Sequence, residues 1–355
     1  MSVWTWVLNY RTQAILEQDK AKWNLFQLAA LDALDEKKTN PEQAIAMLEQ
    51  ARSMAEEMNE SWWVLFCDHW IIQTRLHSQR DYRTAQKLAI QAAVETRKPE
   101  YANFPQRICL HEDLLATYIH TDPQGYTPMI HKAFDYMKQE ITPSVECYLC
   151  FHGLQISFAL RQENWLLAQQ HANRLLAICE TNPSAGPYHA CSAYADLCEI
   201  NYRLGHLDQI PPLTTIGIEQ ARKLDRDELL LLFNLWQAVA DRHAGNETSA
   251  TNHYTQAQHQ QERLTGMLPS GSYYFAAQAY HELGQEWAAA LTLRQQQYAE
   301  IKGKGQTIVE YKCARAQYHL LQKLGQPTTD ILTEIQTIAN RFKDPTPYLA
   351  FLNEN

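Results

Sequence analysis

Arg80-Asp81-Tyr82-Arg83-Thr84-Ala85, Glu163-Asn164-Trp165-Leu166-Leu167-Ala168 and Gln285-Glu286-Trp287-Ala288-Ala289-Ala290 are three versions of one phrase. Each places two polar residues before an aromatic one, with alanine three positions later. The aromatic positions lie 83 residues apart from 82 to 165 and 122 apart from 165 to 287, two and three multiples of roughly 41. A period of that size belongs to stacked helix pairs, because one pair is too small to bury its own apolar face and becomes stable against its neighbours. Turn signals fall where the intermediate units require them, near Gly125-Tyr126, Gly205-His206-Leu207, Gly245-Asn246-Glu247-Thr248 and Gln326-Pro327-Thr328.

Working outward from these turns, helical periodicity fills the chain. In Pro41 to Met58, Ala44, Leu48, Ala51 and Met54 or Ala55 recur at spacings of three and four, the pattern of a half-buried helix. Comparable faces run from Asp81 to Arg97, Glu163 to Glu180, Glu228 to His243, Gln285 to Ile301 and Thr307 to Leu324. Proline is tolerated in the first turn of a helix, so Asn40-Pro41, Thr142-Pro143 and Gly186-Pro187 read as helix starts. Leu204-Gly205, Leu283-Gly284 and Leu324-Gly325 read as stops, where glycine can turn the chain left-handed. Asn-Gly and Asp-Gly hairpin turns between alternating apolar runs are missing. The expected class is all-α, with N-terminal helices over 1–38, about seven helix pairs over 39–342 and a C-terminal tail over 343–355.

Composition limits the function classes. The chain has 355 residues, 45% of them hydrophobic and 20% charged, and its 31 Lys and Arg face 40 Asp and Glu, which excludes a disordered chain. A net charge of −9, with no basic run of five, argues against nucleic acid as partner. The apolar stretch after Met1 is short and lacks a basic region before it, and no apolar run approaches a membrane span, so neither a signal peptide nor a membrane segment is expected. Eight cysteines spread without a dense framework suit a reducing compartment, and the expected location is cytoplasmic.

The aromatic at a turn followed by small residues (Tyr82, Ala85, Ala89, Ala92; Trp165, Ala168, Ala172) resembles the second helix of tetratricopeptide repeats. The Leu-Gly pairs at 204–205, 283–284 and 324–325 look like the end of that family's first helix. The resemblance covers about residues 20 to 340, with a unit of about 41 that resembles the longer-helix variety of bacterial regulatory proteins. It implies a right-handed superhelical solenoid of antiparallel helix hairpins whose first helices line a concave groove. Placed in that register, Trp70, Thr74, His77, Glu199, Tyr202, Tyr274, Gln278, His281, Arg315, His319 and Gln322 point to the groove and would meet another protein or a peptide segment.

Catalytic patterns are weak beside this. Cys147-x-x-Cys150 with His152 offers two thiolates and an imidazole, but a tetrahedral zinc site needs four ligands and no second CxxC or HxxxH supplies them. His111-Glu112-Asp113 lacks the second histidine of a helical zinc-protease motif, and Asp32-x-x-Asp35-Glu36 lacks a partner acidic box. Cys191 and Cys198, seven apart, share one helix face and read as core. GxSxG, Walker-type and GxGxxG patterns are absent. No cofactor and no metal are therefore expected. Neighbouring aromatics point about 100° apart on a helix, so one of Trp62 and Trp63, and one of Tyr273 and Tyr274, is expected to be exposed or to line the groove. The resulting expectation is a protein- or peptide-binding scaffold in bacterial regulation or complex assembly. A peptide-responsive regulator resembling response-regulator phosphatases, or a sensor arm of a regulatory system, is the alternative.

Overall fold

The structure, a computed structural model, describes residues 1–37, 39–141, 147–182, 185–264 and 271–353, with side chains to 350. All regular structure among the described residues is helical. In chain order the α-helices are α1 (Val3–Leu16), α2 (Lys20–Phe26), α3 (Ala33–Glu36), α4 (Pro41–Glu57), α5 (Ser61–Thr74), α6 (Tyr82–Glu95), α7 (Arg107–Thr121), α8 (Thr127–Glu140), α9 (Cys147–Arg161) and α10 (Trp165–Glu180). There follow α11 (Gly186–Leu204), α12 (Ile210–Lys223), α13 (Asp227–His243), α14 (Glu247–Arg263), α15 (Gly271–Leu283), α16 (Trp287–Ile301), α17 (Thr307–Lys323), α18 (Thr329–Ala339) and α19 (Thr346–Asn353). Every second helix from α4 to α18 begins at residue 41, 82, 127, 165, 210, 247, 287 or 329, steps that average about 41. None of the described helices is long and apolar enough to cross a membrane.

The three aligned phrases fold into one kind of turn. Arg80, Glu163 and Gln285 each adopt a positive φ, 55°, 59° and 57°, two residues before the aromatic that opens the next helix. The residue between them acts as the helix cap. Asp81 accepts from the Thr84 amide at 3.1 Å and Asn164 from the Leu167 amide at 3.2 Å, each satisfying a backbone donor that the helix leaves open. Glu286 instead turns its carboxylate to His281 at 2.5 Å and to Arg242 at 3.2 Å. The alanines at 85, 168 and 290 are fully buried, so the aromatic-to-alanine spacing marks where the second helix meets its partner. Gly205 stops α11 with φ 77°, a conformation in which a Cβ would be strained.

The chain divides into two compact units. Unit one comprises residues 1–118 and 128–148, and unit two comprises 119–127, 149–264 and 271–353 of the described chain. In unit one, α4 packs on α5 and α5 on α6, around a cluster in which Trp6 meets Trp63 at 5.0 Å, Phe66 at 5.9 Å and Phe104 at 6.0 Å between ring centroids. In unit two each helix from α10 to α18 packs on a chain neighbour, and α13 also touches both α11 and α15. Its core holds Phe233 and Trp236 with no exposed surface.

Two expectations meet a different outcome. The 343–355 tail contains helix α19, held because Tyr348 stacks on Phe342 with ring centroids 3.6 Å apart and its carbonyl accepts from the Tyr311 hydroxyl at 2.7 Å. Tyr273 and Tyr274 are both buried, since α15 lies between α13 and α16 and so hides two faces. The other tandem pair does split as expected, Trp62 being half-buried and Trp63 wholly buried. Thr142-Pro143 lies outside the described residues.

Candidate functional site

In unit two, residues of α9, α10, α11, α15, α16 and α17 line a pocket of about 300 Å³. Helical spacing explains the convergence. Glu199 and Arg203 are one turn apart on α11, Phe275, Gln278 and Glu282 follow one face of α15, and Lys312, Arg315, Ala316 and His319 follow one face of α17. Arg161, Arg203, Arg294, Lys312 and Arg315 supply five cations. Glu163, Glu199 and Glu282 supply three carboxylates.

The cations are held by neutral groups more than by acids. Arg294 is only 8% exposed; its Nε donates to the Gln278 side-chain oxygen and its Nη1 to that of Gln297 at 2.5 Å. Arg203 lays its guanidinium over the Phe275 ring at 3.8 Å and over Trp165 at 5.1 Å. Lys312 donates to the Arg161 carbonyl at 3.0 Å and pairs with Glu163 at 3.1 Å. Arg161 Nε is buried without a hydrogen-bond partner. Among the described residues Arg161, Arg203 and Arg294 make no ion pair. Desolvation pushes the Lys312 pKa down to about 8 despite the opposing Glu163 charge, and burial pushes that of Arg294 down too. Asp196, three residues before Glu199 on α11, is held up at about 7, first by burial and then by the Glu199 charge. Extra negative charge inside the pocket would relieve Lys312 and Arg294, whereas it would push the Asp196 carboxyl higher still.

Four of the groove positions expected from sequence, Glu199, Gln278, Arg315 and His319, meet at this pocket. The others do not. Tyr274 is 2% exposed with its hydroxyl bonded to Glu300 at 2.5 Å, so it belongs to the core. Tyr202 packs its ring on Trp236 and Phe275 at 5.6 and 5.5 Å. His281 is engaged by the Tyr254 hydroxyl at 2.8 Å and by Glu286, and Gln322 donates to the Tyr318 hydroxyl at 2.7 Å. In unit one, Thr74 is buried, Trp70 stacks against Trp4 and carries Lys37 over its ring at 4.4 Å, and His77 is exposed. None of these three lines the larger cleft of unit one, about 740 Å³, in which Arg52 is already neutralised by Asp68 at 2.8 Å and Glu56 at 2.7 Å.

Sequence reasoning missed Arg161, Arg203, Arg294 and Lys312. A signal existed for part of the set, since Lys312, Arg315 and His319 fall at helical spacing on one predicted helix. Arg294 carried none, because it sits in a second helix, which the groove expectation left aside.

The weaker motifs scatter. His111 packs against the Tyr136 ring at 4.8 Å, Asp113 accepts from His69 at 2.7 Å and Gln73 at 2.6 Å, and Glu112 turns to the thiols of Cys109 and Cys147. Cys147 is buried whereas Cys150 is exposed, and His152 shares a hydrogen bond with Gln155 at 3.0 Å. Cys191 and Cys198 are both fully buried. Asp32 accepts from Gln27 at 2.9 Å and Asp35 is exposed. No family model and no curated protein matches the chain.

Proposed function

We propose that this chain is a peptide-binding scaffold of the tetratricopeptide-like class, and that the pocket of unit two holds a segment of a partner protein that carries a carboxylate side chain or terminus. The cluster of Arg161, Arg203 and Arg294 without ion-pair partners carries this reading. Arg203, stacked on Phe275, and Arg161, whose Nε has no partner, keep in-plane N–H donors for a planar anion, which two guanidinium groups can grip in a bidentate way. The recurrence of one turn type at a period near 41 supports the repeat class.

The test is fluorescence anisotropy with labelled acidic peptides and matched amide or glutamine versions. Acidic peptides should bind with an affinity that falls as salt rises. Arg203→Glu and Arg315→Glu should each weaken binding roughly 10- to 100-fold, the range for a lost hydrogen bond to a charged group. Equal affinity for acidic and amide peptides, or indifference to both reversals, would sink the proposal.

A further inference from the structure

Away from that pocket, unit one gathers three metal-ligating side chains from two helices. Cys109 and Glu112 stand one turn apart on α7 and so share a face. Cys147, the first residue of α9, brings its Sγ to 2.7 Å from Cys109 Sγ. The two sulfurs and a Glu112 carboxylate oxygen all lie within 4.8 Å of one another. Glu112 is only 8% exposed, and its Oε1 is buried with no hydrogen-bond partner among the described residues. Burial, followed by the neighbouring Cys147 and Asp113, raises its pKa well above the ordinary carboxylate range. A carboxyl group so placed costs stability unless something pairs with its open oxygen.

We propose that Cys109, Glu112 and Cys147 form a binding site for a divalent cation of the zinc class. Two thiolates favour a borderline-soft ion over calcium or magnesium, and a carboxylate completes a three-ligand set that leaves a fourth position for water or another donor. Loading replaces protons by metal: two thiols and one carboxylic acid give two thiolates and a carboxylate, three protons leave, and the bound ion takes up two of the three negative charges. Zinc–sulfur bonds of about 2.3 Å at a tetrahedral centre set two sulfurs about 3.8 Å apart, so the thiols separate by about 1 Å on loading. Cys109 is half-exposed and gives the ion a way in. The Cys147-x-x-Cys150 spacing is incidental to this site, whose other members come from α7.

Cobalt(II) titration of the reduced full-length chain tests the assignment. The expected result is a thiolate-to-cobalt band in the near ultraviolet with visible bands of a tetrahedral ion, saturating at one equivalent and lost on adding zinc. Affinity should rise with pH because protons compete for the ligands. Cys109→Ser and Cys147→Ser should each remove about half of the thiolate band. Glu112→Gln, which keeps size and shape, should retain the band but bind by no less than the roughly 10- to 100-fold weaker margin that loss of an outer-sphere partner brings. Cys179→Ser should change nothing. If either serine variant fails to fold, the wild-type titration and Glu112→Gln decide. A spectrum without the thiolate band, affinity untouched in Glu112→Gln, or a Cys109–Cys147 disulfide that persists in reductant would each overturn the site.

Discussion

Aromatic rings serve two ends in the two units. In unit one they meet each other: Trp63 lies 5.0 Å from Trp6, 4.9 Å from Tyr10 and 5.0 Å from Phe66, and the cluster is dry. In unit two Phe275 is instead covered by Arg203 at 3.8 Å and approached by Arg294 at 5.8 Å. A ring against a ring finishes as core, since its faces and edges are spent on packing. A ring beneath a guanidinium occupies the cation's face and leaves its edge available. Similar helix pairs thus build a stabilising cluster in one region and a cation-lined pocket in the other.

The largest effect that bears on this contrast is Trp63→Ala, which removes the centre of the unit-one cluster. It should cost about 3–5 kcal/mol in denaturant unfolding, as deleting a large buried aromatic does. A loss under about 1 kcal/mol would mean that the cluster is not a core.

Lys312→Met probes the opposite case, a cation buried at the expense of stability, which the proposed function assigns to binding. Acidic peptides should bind it roughly 10-fold or more weakly, while its stability at pH 7 should be no lower than that of the wild type. The folded pKa of Lys312, about 8, lies below the ordinary lysine value, so the folded state binds fewer protons than the unfolded chain above that pH. The burden of the buried charge is therefore fully present below pH 8 and is relieved as pH rises toward the unfolded value. Any stability advantage of the methionine variant should shrink over that interval. Wild-type affinity for acidic peptides should fall as pH rises through about 8, and this fall should be missing in the variant.

The smallest effect concerns what the units share. Gln285 is exposed and holds the left-handed conformation that Arg80 holds in unit one. Gln285→Gly should raise stability by up to about 1 kcal/mol, because glycine reaches that conformation without a Cβ clash. A loss in the unfolding curve would show that the glutamine side chain contributes more than its strain costs.

The turns and helix starts were legible because their causes are local. Pro41 sets the start of α4 with Asn40 accepting from the Gln43 amide at 3.2 Å, and Gly205 ends α11 where the Leu-Gly pair placed the stop. The recurrence at 82, 165 and 287 could be counted from residue types alone. The candidate site was only half legible. Glu199, Gln278, Arg315 and His319 followed from helical register, but Tyr274 was misplaced because register says which way a residue points and not whether another helix covers it.

What the sequence determined, then, is the paired-helix phrase and its spacing near 41: capping, proline and 3.6-residue periodicity act over a few neighbouring positions and need no tertiary partner. Tertiary structure alone decided that Arg161, Arg203, Arg294 and Lys312 share a pocket and that Cys147 meets Cys109 and Glu112 instead of Cys150. Those groups come from separate helices, and stacking, not spacing along the chain, sets their distances.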